Sequence, residues 1–130
     1  MNASQTIPMR RLAGFTLIEI LIAVVIVGIL ASIAYPSYVR HVQRSHEAET
    51  QGQMLDLASA LEAHRAKNFS YAGATISALA PKLSTNDHYV ASLVLNNANQ
   101  GYEITATPSS SLMSGRPVLT LDSEGNASWD

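Results

Sequence analysis

Twenty-one consecutive residues, Phe15 to Tyr35, are almost wholly apolar, and Glu19 is the only charged side chain among them. As an α-helix this run is about 31 Å long, close to one hydrocarbon thickness of a bilayer. Its many β-branched residues do not argue against a helix, because lipid forces backbone hydrogen bonds to close within the segment. About 95 of the 130 residues lie beyond it, enough for one small core. Nearly all of the charge lies outside the run, and cysteine is absent, so no disulfide holds that core together.

An ordinary secretory signal places its apolar stretch before the cleavage site and is discarded. Here the order is reversed. The polar segment Met1–Gly14 ends in Arg10-Arg11-Leu12-Ala13-Gly14, and the apolar run follows that small-residue junction. A cut after Gly14 therefore keeps the hydrophobic segment as the new N-terminus. Arg10 and Arg11 predict a cytoplasmic N-terminus and a remainder outside the inner membrane. Glu19 lies about one helical turn into the run, where a carboxylate is costly and usually has a partner. One reading pairs it with the new α-amino group of Phe15, in the same chain or in an adjacent one. The other leaves it as a tolerated carboxylate near the headgroups.

Gly14-Phe15-Thr16-Leu17-Ile18-Glu19, followed by Ile20–Tyr35 with Gly28 and Pro36, resembles the N-terminal segment of type IV pilins and pseudopilins. The resemblance implies cleavage between Gly14 and Phe15 by a prepilin peptidase and N-methylation of Phe15 by the same enzyme. It also implies assembly through Glu19 and the Phe15 amine of a neighbouring subunit. Pro36 cannot donate to the Ser32 carbonyl, and Gly28 adds backbone freedom. The expectation is a kinked or loosened helix there, either as a fixed bend or as a segment that melts in the fibre.

From Ser37 to about Lys67 the composition favours helix, with Met54, Leu57, Ala58 and Leu61 forming one apolar stripe. The polar run Arg40–Glu47 reads as a solvated helix face, with contact to headgroups or adjacent subunits as the alternative. Asn68–Asn86 reads as a connection with a short turn of helix near Ile76–Ala80. Three strands are expected at Tyr89–Leu95, Tyr102–Thr107 and Pro117–Leu121, and the segment ending in Trp129 adds an edge strand or caps the core. The fold class is thus α+β: a long N-terminal α-helix, apolar in its first half, packed on an antiparallel sheet of three to four strands. The expected divisions are a cleaved leader at 1–14, a transmembrane and assembly helix at 15–36, an amphipathic continuation at 37–67, and the connection and sheet at 68–130. Tyr38–Tyr71, Tyr102–Pro108 and Leu119–Trp129 also resemble minor pilins of the PilE type. Those relatives generally close a C-terminal loop with a disulfide that this chain lacks.

Loss of residues 1–14 leaves six basic and ten acidic side chains, a net charge of −4, and no basic stripe. That balance counts against nucleic acid as a partner by charge alone. A DNA-binding role would need a local basic patch, for example Lys67, Lys82 and Arg116 brought together. His41 and His46 are about 140° apart around a helix, a poor chelating pair, and His64 and His88 are isolated. Asp122, Glu124 and Asn126 alternate as in a calcium loop, yet Asp-x-Glu-Gly is also a common hairpin turn. No phosphate loop, nucleophile elbow or acid pair is present, so no enzyme, metal or cofactor is expected. The expected function is that of a minor pilus subunit that helps initiate assembly and supports adhesion, twitching motility or DNA uptake. A type II secretion pseudopilin and a DNA-binding subunit at the pilus tip are the alternatives. The expected partners are the prepilin peptidase, other pilins, the inner-membrane assembly platform and inner-membrane lipid before assembly.

Overall fold

The computed structural model describes residues 2–4 and 11–130; Met1 and residues 5–10, Arg10 among them, lie outside the described residues. The chain forms two compact units, Met1–Ser37 and Tyr38–Asp130. Helix α1, Leu17–Asn68, contributes to both. Pro36 lies inside α1 and does not end it, and the division between the units falls one residue later.

In the first unit every side chain of α1 from Leu17 to Pro36 is exposed. Ile20, Ile22 and Ile26, near the middle of the run, are still about half exposed, at 50%, 52% and 51%. This stretch is helical for a local reason at its start, a capped first turn, and it builds no core of its own. Its length and hydropathy are those of a membrane-crossing helix.

The second unit has a core because α1 becomes amphipathic. Met54, Leu57 and Leu61 are fully buried at the expected spacing, with Ala58 packed beside them. They are joined by two polar residues, Glu47 and Thr50, on the same face. The core is completed by an antiparallel sheet in the order β1-β2-β3-β4: Tyr89–Asn96, Gly101–Pro108, Leu119–Asp122 and Ala127–Ser128. Alternation decides which side faces inward. Tyr102, Ile104 and Ala106 of β2 are buried and pair with Leu95, Leu93 and Ala91 of β1, while Leu119 and Leu121 continue the layer on β3. The C-terminal segment resolves as a fourth strand, with Trp129 packed on the core.

Two short helices, α2 (Ile76–Leu79) and α3 (Pro81–Ser84), occupy the connection, the second started by a proline at its first turn. Asn86 ties this connection to the helix and the sheet together. Its Nδ2 donates to Thr50 Oγ1 and Gln53 Oε1 at 3.0 and 2.8 Å, and its Oδ1 accepts from the backbone N–H of His88 and Tyr89 at 2.8 and 2.9 Å. Tyr71 meets the edge of Tyr102 with ring centroids 5.0 Å apart and sends its hydroxyl to Glu62 at 2.6 Å. Burial pushes the Tyr102 hydroxyl up to about 12, so it stays neutral throughout the physiological range.

Leu57→Ala should lower head stability by about 2–5 kcal/mol, because its cavity opens under the sheet. Val90→Ala, on the outer sheet face, should change it by less than about 0.5 kcal/mol. Urea unfolding of the full chain in detergent distinguishes these outcomes.

Candidate functional site

The N-terminal site is built by the first turn of α1. Thr16 accepts the first helical hydrogen bond at its carbonyl, from Ile20 at 3.2 Å. Its hydroxyl accepts the Glu19 N–H at 3.2 Å, while Glu19 Oε2 accepts the Thr16 backbone N–H at 2.7 Å and the Thr16 hydroxyl at 3.0 Å. This is a capping box, and Thr16-Leu17-Ile18-Glu19 carries its sequence signature. Glu19 therefore already has a structural partner inside its own chain, although the composition of the run draws attention only to the Phe15 amine. Phe15 is 82% exposed, and a Cβ added at Gly14 would meet nothing within 4 Å. Both residues of the junction are exposed. Gly28, midway along the exposed helix, is equally open.

In the head, Glu47 corrects the reading of Arg40–Glu47 as a solvated face. It is 8% exposed, and both Nε and Nη2 of Arg116 donate to its Oε2, the former at 2.9 Å. Gln43, one turn earlier, donates to the Leu112 carbonyl at 2.7 Å. Met113, between these two contacts, is fully buried. The loop from Ser109 to Val118 is thus strapped to α1 without a disulfide. The Tyr89 hydroxyl is buried without a hydrogen-bond partner, and burial followed by the nearby Glu47 carboxylate pushes its pKa up.

His46 and His88, distant in sequence, have ring centroids 3.8 Å apart. They line a cleft of about 460 Å³ with Glu49, Gln53, Lys82, Thr85 and Asp87. His88 Nδ1 is 3.1 Å from Ser110 Oγ. Among the described residues no group of three or more His, Asp or Glu side chains is placed to hold a metal. Asp122 is committed to its own turn: it accepts from the N–H of Glu124 and of Asn126 and from Asn126 Nδ2, each at 2.9 Å. These bonds, the Asn126 side chain first, hold its carboxyl below the usual aspartate range.

Lys67, Lys82 and Arg116 do not converge. Arg116 is bound to Glu47, Lys82 lines the His46 cleft, and Lys67 follows Glu47 by twenty residues, about 30 Å along one helix. A different cluster forms at the far end of α1. All the described non-glycine residues with positive φ are there: Phe69 (59°), Asn97 (51°), Ala98 (54°) and Asn99 (66°). They are held together by Tyr71 N–H to Asn99 O at 3.0 Å and Gln100 Nε2 to Phe69 O at 3.0 Å. Phe69 is 84% exposed beside Arg65 and Gln100. Nothing in the residue pattern around Asn68 announces this left-handed exit, since asparagine or glycine ordinarily fills it.

Replacing Arg116 by Ala leaves Glu47 buried and unpaired. The loss should be about 2 kcal/mol, below the usual 3–5 for a buried pair because Arg116 is partly exposed. Exchanging both residues for Leu and Met should recover most of it, as read by thermal melts. Asp122, with its folded pKa depressed, contributes stability that is complete above the ordinary aspartate pKa and lost as pH falls through the lower folded value. Asp122→Asn should therefore flatten the acid limb of a stability–pH curve.

A profile of the family described as "Type IV minor pilin ComP, DNA uptake sequence receptor" matches residues 36–116. A second, the "Prokaryotic N-terminal methylation motif", matches residues 9–35. The chain is 35% identical over 126 residues to the fimbrial protein EcpC of Eikenella corrodens, covering 90% of this chain and 80% of that one. It is 37% identical over 62 residues to the type II secretion system core protein G of Pseudomonas aeruginosa, covering 48% of this chain and 44% of that one. A type IV pilin structure from Shewanella oneidensis superposes with a TM-score of 0.55 at 21% identity, over 65% of this chain and 89% of that one, which establishes the fold. Helix, sheet and sequence relatives agree: the chain belongs to the type IV pilin family and is a structural subunit that is anchored in the membrane by its apolar helix and then incorporated into a pilus.

Proposed function

We propose that this chain is a minor pilin that binds DNA at the fibre surface for uptake. The observation that carries the reading is the match of residues 36–116 to the DNA-uptake-receptor profile. Processing follows the N-terminal geometry: a prepilin peptidase cuts between the exposed Gly14 and Phe15, and Phe15 is N-methylated. The subunit waits in the inner membrane with its N-terminus cytoplasmic and its head periplasmic, and the assembly platform transfers it to the fibre. There Glu19 takes the Phe15 amine of a neighbour, and the segment from Gly28 to Pro36 supplies the freedom to adjust.

A net charge of −4 does not forbid DNA when the contact is local. Phe69 is presented by a left-handed backbone whose cost, roughly 1–3 kcal/mol, is maintained at an exposed position. An open aromatic face is worth roughly 1–3 kcal/mol to a stacked base. Arg65 and Lys67, on the last turns of α1, supply phosphate contacts, and Gln100, Asn97 and Asn99 supply amide donors and acceptors.

Filter binding of DNA with a salt titration tests this. Two phosphate contacts predict a log–log slope of about −2. Phe69→Ala should weaken binding by about five- to a hundred-fold with the slope unchanged, while Lys67→Ala should reduce the slope by about 1. A response flat to salt sinks the DNA reading. For the N-terminus, mass spectrometry of fibre-derived protein should find N-methylated Phe15, and recovery of an intact Met1 would overturn the processing scheme. Glu19→Ala should abolish incorporation into fibres, as read by immunoblots of sheared pili.

A further inference from the structure

We infer that the free edge of β1 takes in an extended, uncharged segment of another polypeptide as an added strand. This edge is separate from the proposed DNA contacts and uses none of their residues.

β1 lies at one edge of the sheet and is paired on one side only, with β2. The Ser109 N–H donates to the His88 carbonyl at 2.9 Å, which fixes the phase of the ladder. Alternation then turns the N–H and C=O of Val90, Ser92 and Val94 toward β2, and those of Ala91, Leu93 and Leu95 outward. Asn86 Oδ1 takes the outward N–H of Tyr89 at 2.9 Å. Beyond it, no hydrogen bond among the described residues reaches the outward groups of Ala91, Leu93 or Leu95. Their donors and acceptors stand in a row about 13 Å long.

Natural sheets blunt such edges with short strands, bulges, prolines or charges. The opposite edge is blunted in this way, because β4 has two residues. β1 has eight, with no charge and no proline, and its register with β2 runs unbroken from Tyr89 to Asn96. The connection does not seal it. Thr75, Ile76 and Ser84 flank the strand and leave a cleft of about 520 Å³ open along Ala91, Leu93 and Leu95.

Charge selects the occupant. No ionisable side chain lines the cleft, and the edge presents alternating partial charges, N–H and C=O. The complement of that row is the same row on another extended backbone. A charged side chain entering beside it would lose water and gain no counter-ion. A second copy of this chain is a poor match on either edge. Its β1 is flanked by its own connection, so joining two such edges brings the two connections together, and its β4 is too short to meet three residues. The occupant is therefore a strand of about five residues from a different polypeptide, uncharged on the side that enters the cleft.

The full-length chain in detergent is titrated with a blocked pentapeptide of alternating threonine and valine, and amide hydrogen exchange is read by NMR. In the free chain the amides of Ala91, Leu93 and Leu95 should exchange at least about tenfold faster than those of Ser92 and Val94. Saturating peptide should slow the first three by about tenfold or more and leave the other two unchanged. The Thr75 side chain is exposed and makes no cap hydrogen bond at α2, so Thr75→Arg crowds the cleft and spares the fold. It should weaken the peptide by at least about fivefold. Peptide that binds without slowing those three amides, or no binding up to about 1 mM, overturns the inference. Slowing of the same amides by raised chain concentration alone makes a second copy the occupant and overturns it as well. Each of these outcomes leaves the DNA reading intact, since its residues lie elsewhere.

Discussion

One helix has to satisfy two solvents, and the rest of the molecule follows from how its sequence changes along its length. Up to Pro36 α1 offers apolar side chains on every face and buries none of them within the chain. Among the described residues no intrachain packing competes for that surface, which leaves it to lipid and then to other pilin helices. Beyond Tyr38 the same helix narrows its apolar surface to one stripe, and a sheet of four strands covers it. The head is small, and α1 supplies a large share of its core. Separating the two would expose Met54, Leu57 and Leu61 together.

A head of this size without a disulfide needs another way to hold the loop between β2 and β3. Met113 is buried, Leu112 gives its carbonyl to Gln43, and Arg116 closes on Glu47. Burying a methionine is worth about 1.5–3 kcal/mol and a net hydrogen bond about 1. Together these match the roughly 3 kcal/mol that a cross-link closing a loop of similar length supplies. The strap is therefore equivalent in size to a disulfide but not in character. It is built from two polar contacts on one helix face and one side chain buried in the core.

The strands were legible because alternation survives in Tyr102–Thr107 and Leu119–Leu121, where one face meets the helix and the other meets water. The stripe on α1 was legible for the same reason. Glu47 was not. A glutamate within a run of Arg, His and Gln reads as solvated, and only Arg116, sixty-nine residues away, makes its burial tolerable. The same limit applies to Phe69, whose backbone conformation is decided by a hairpin loop thirty residues downstream. Gly101 was similarly silent: a Cβ there would come within 2.0 Å of Asn96 Oδ1, so a larger residue requires the Asn96 side chain to turn away, a coupling that local pattern does not reveal. The capping box was a different case, since Thr16 and Glu19 stand at the right spacing and the signal was present.

That box bears on how a carboxylate survives in an apolar helix. Both Thr16 donors go to Oε2 of Glu19, which leaves Oε1 available. The proposed cut after Gly14 would make Phe15 the terminal residue and leave the Thr16 N–H an amide, so the box would persist. Glu19 caps its own helix with one oxygen, and under the proposed assembly the other would take the amine of an adjacent chain. Capping lowers the cost of carrying the charge into the membrane, and the second oxygen remains an acceptor for the partner that the proposed assembly supplies. The helix start is thus capped within its own chain and still has an acceptor to offer, which is what the proposed passage from lipid to fibre calls for.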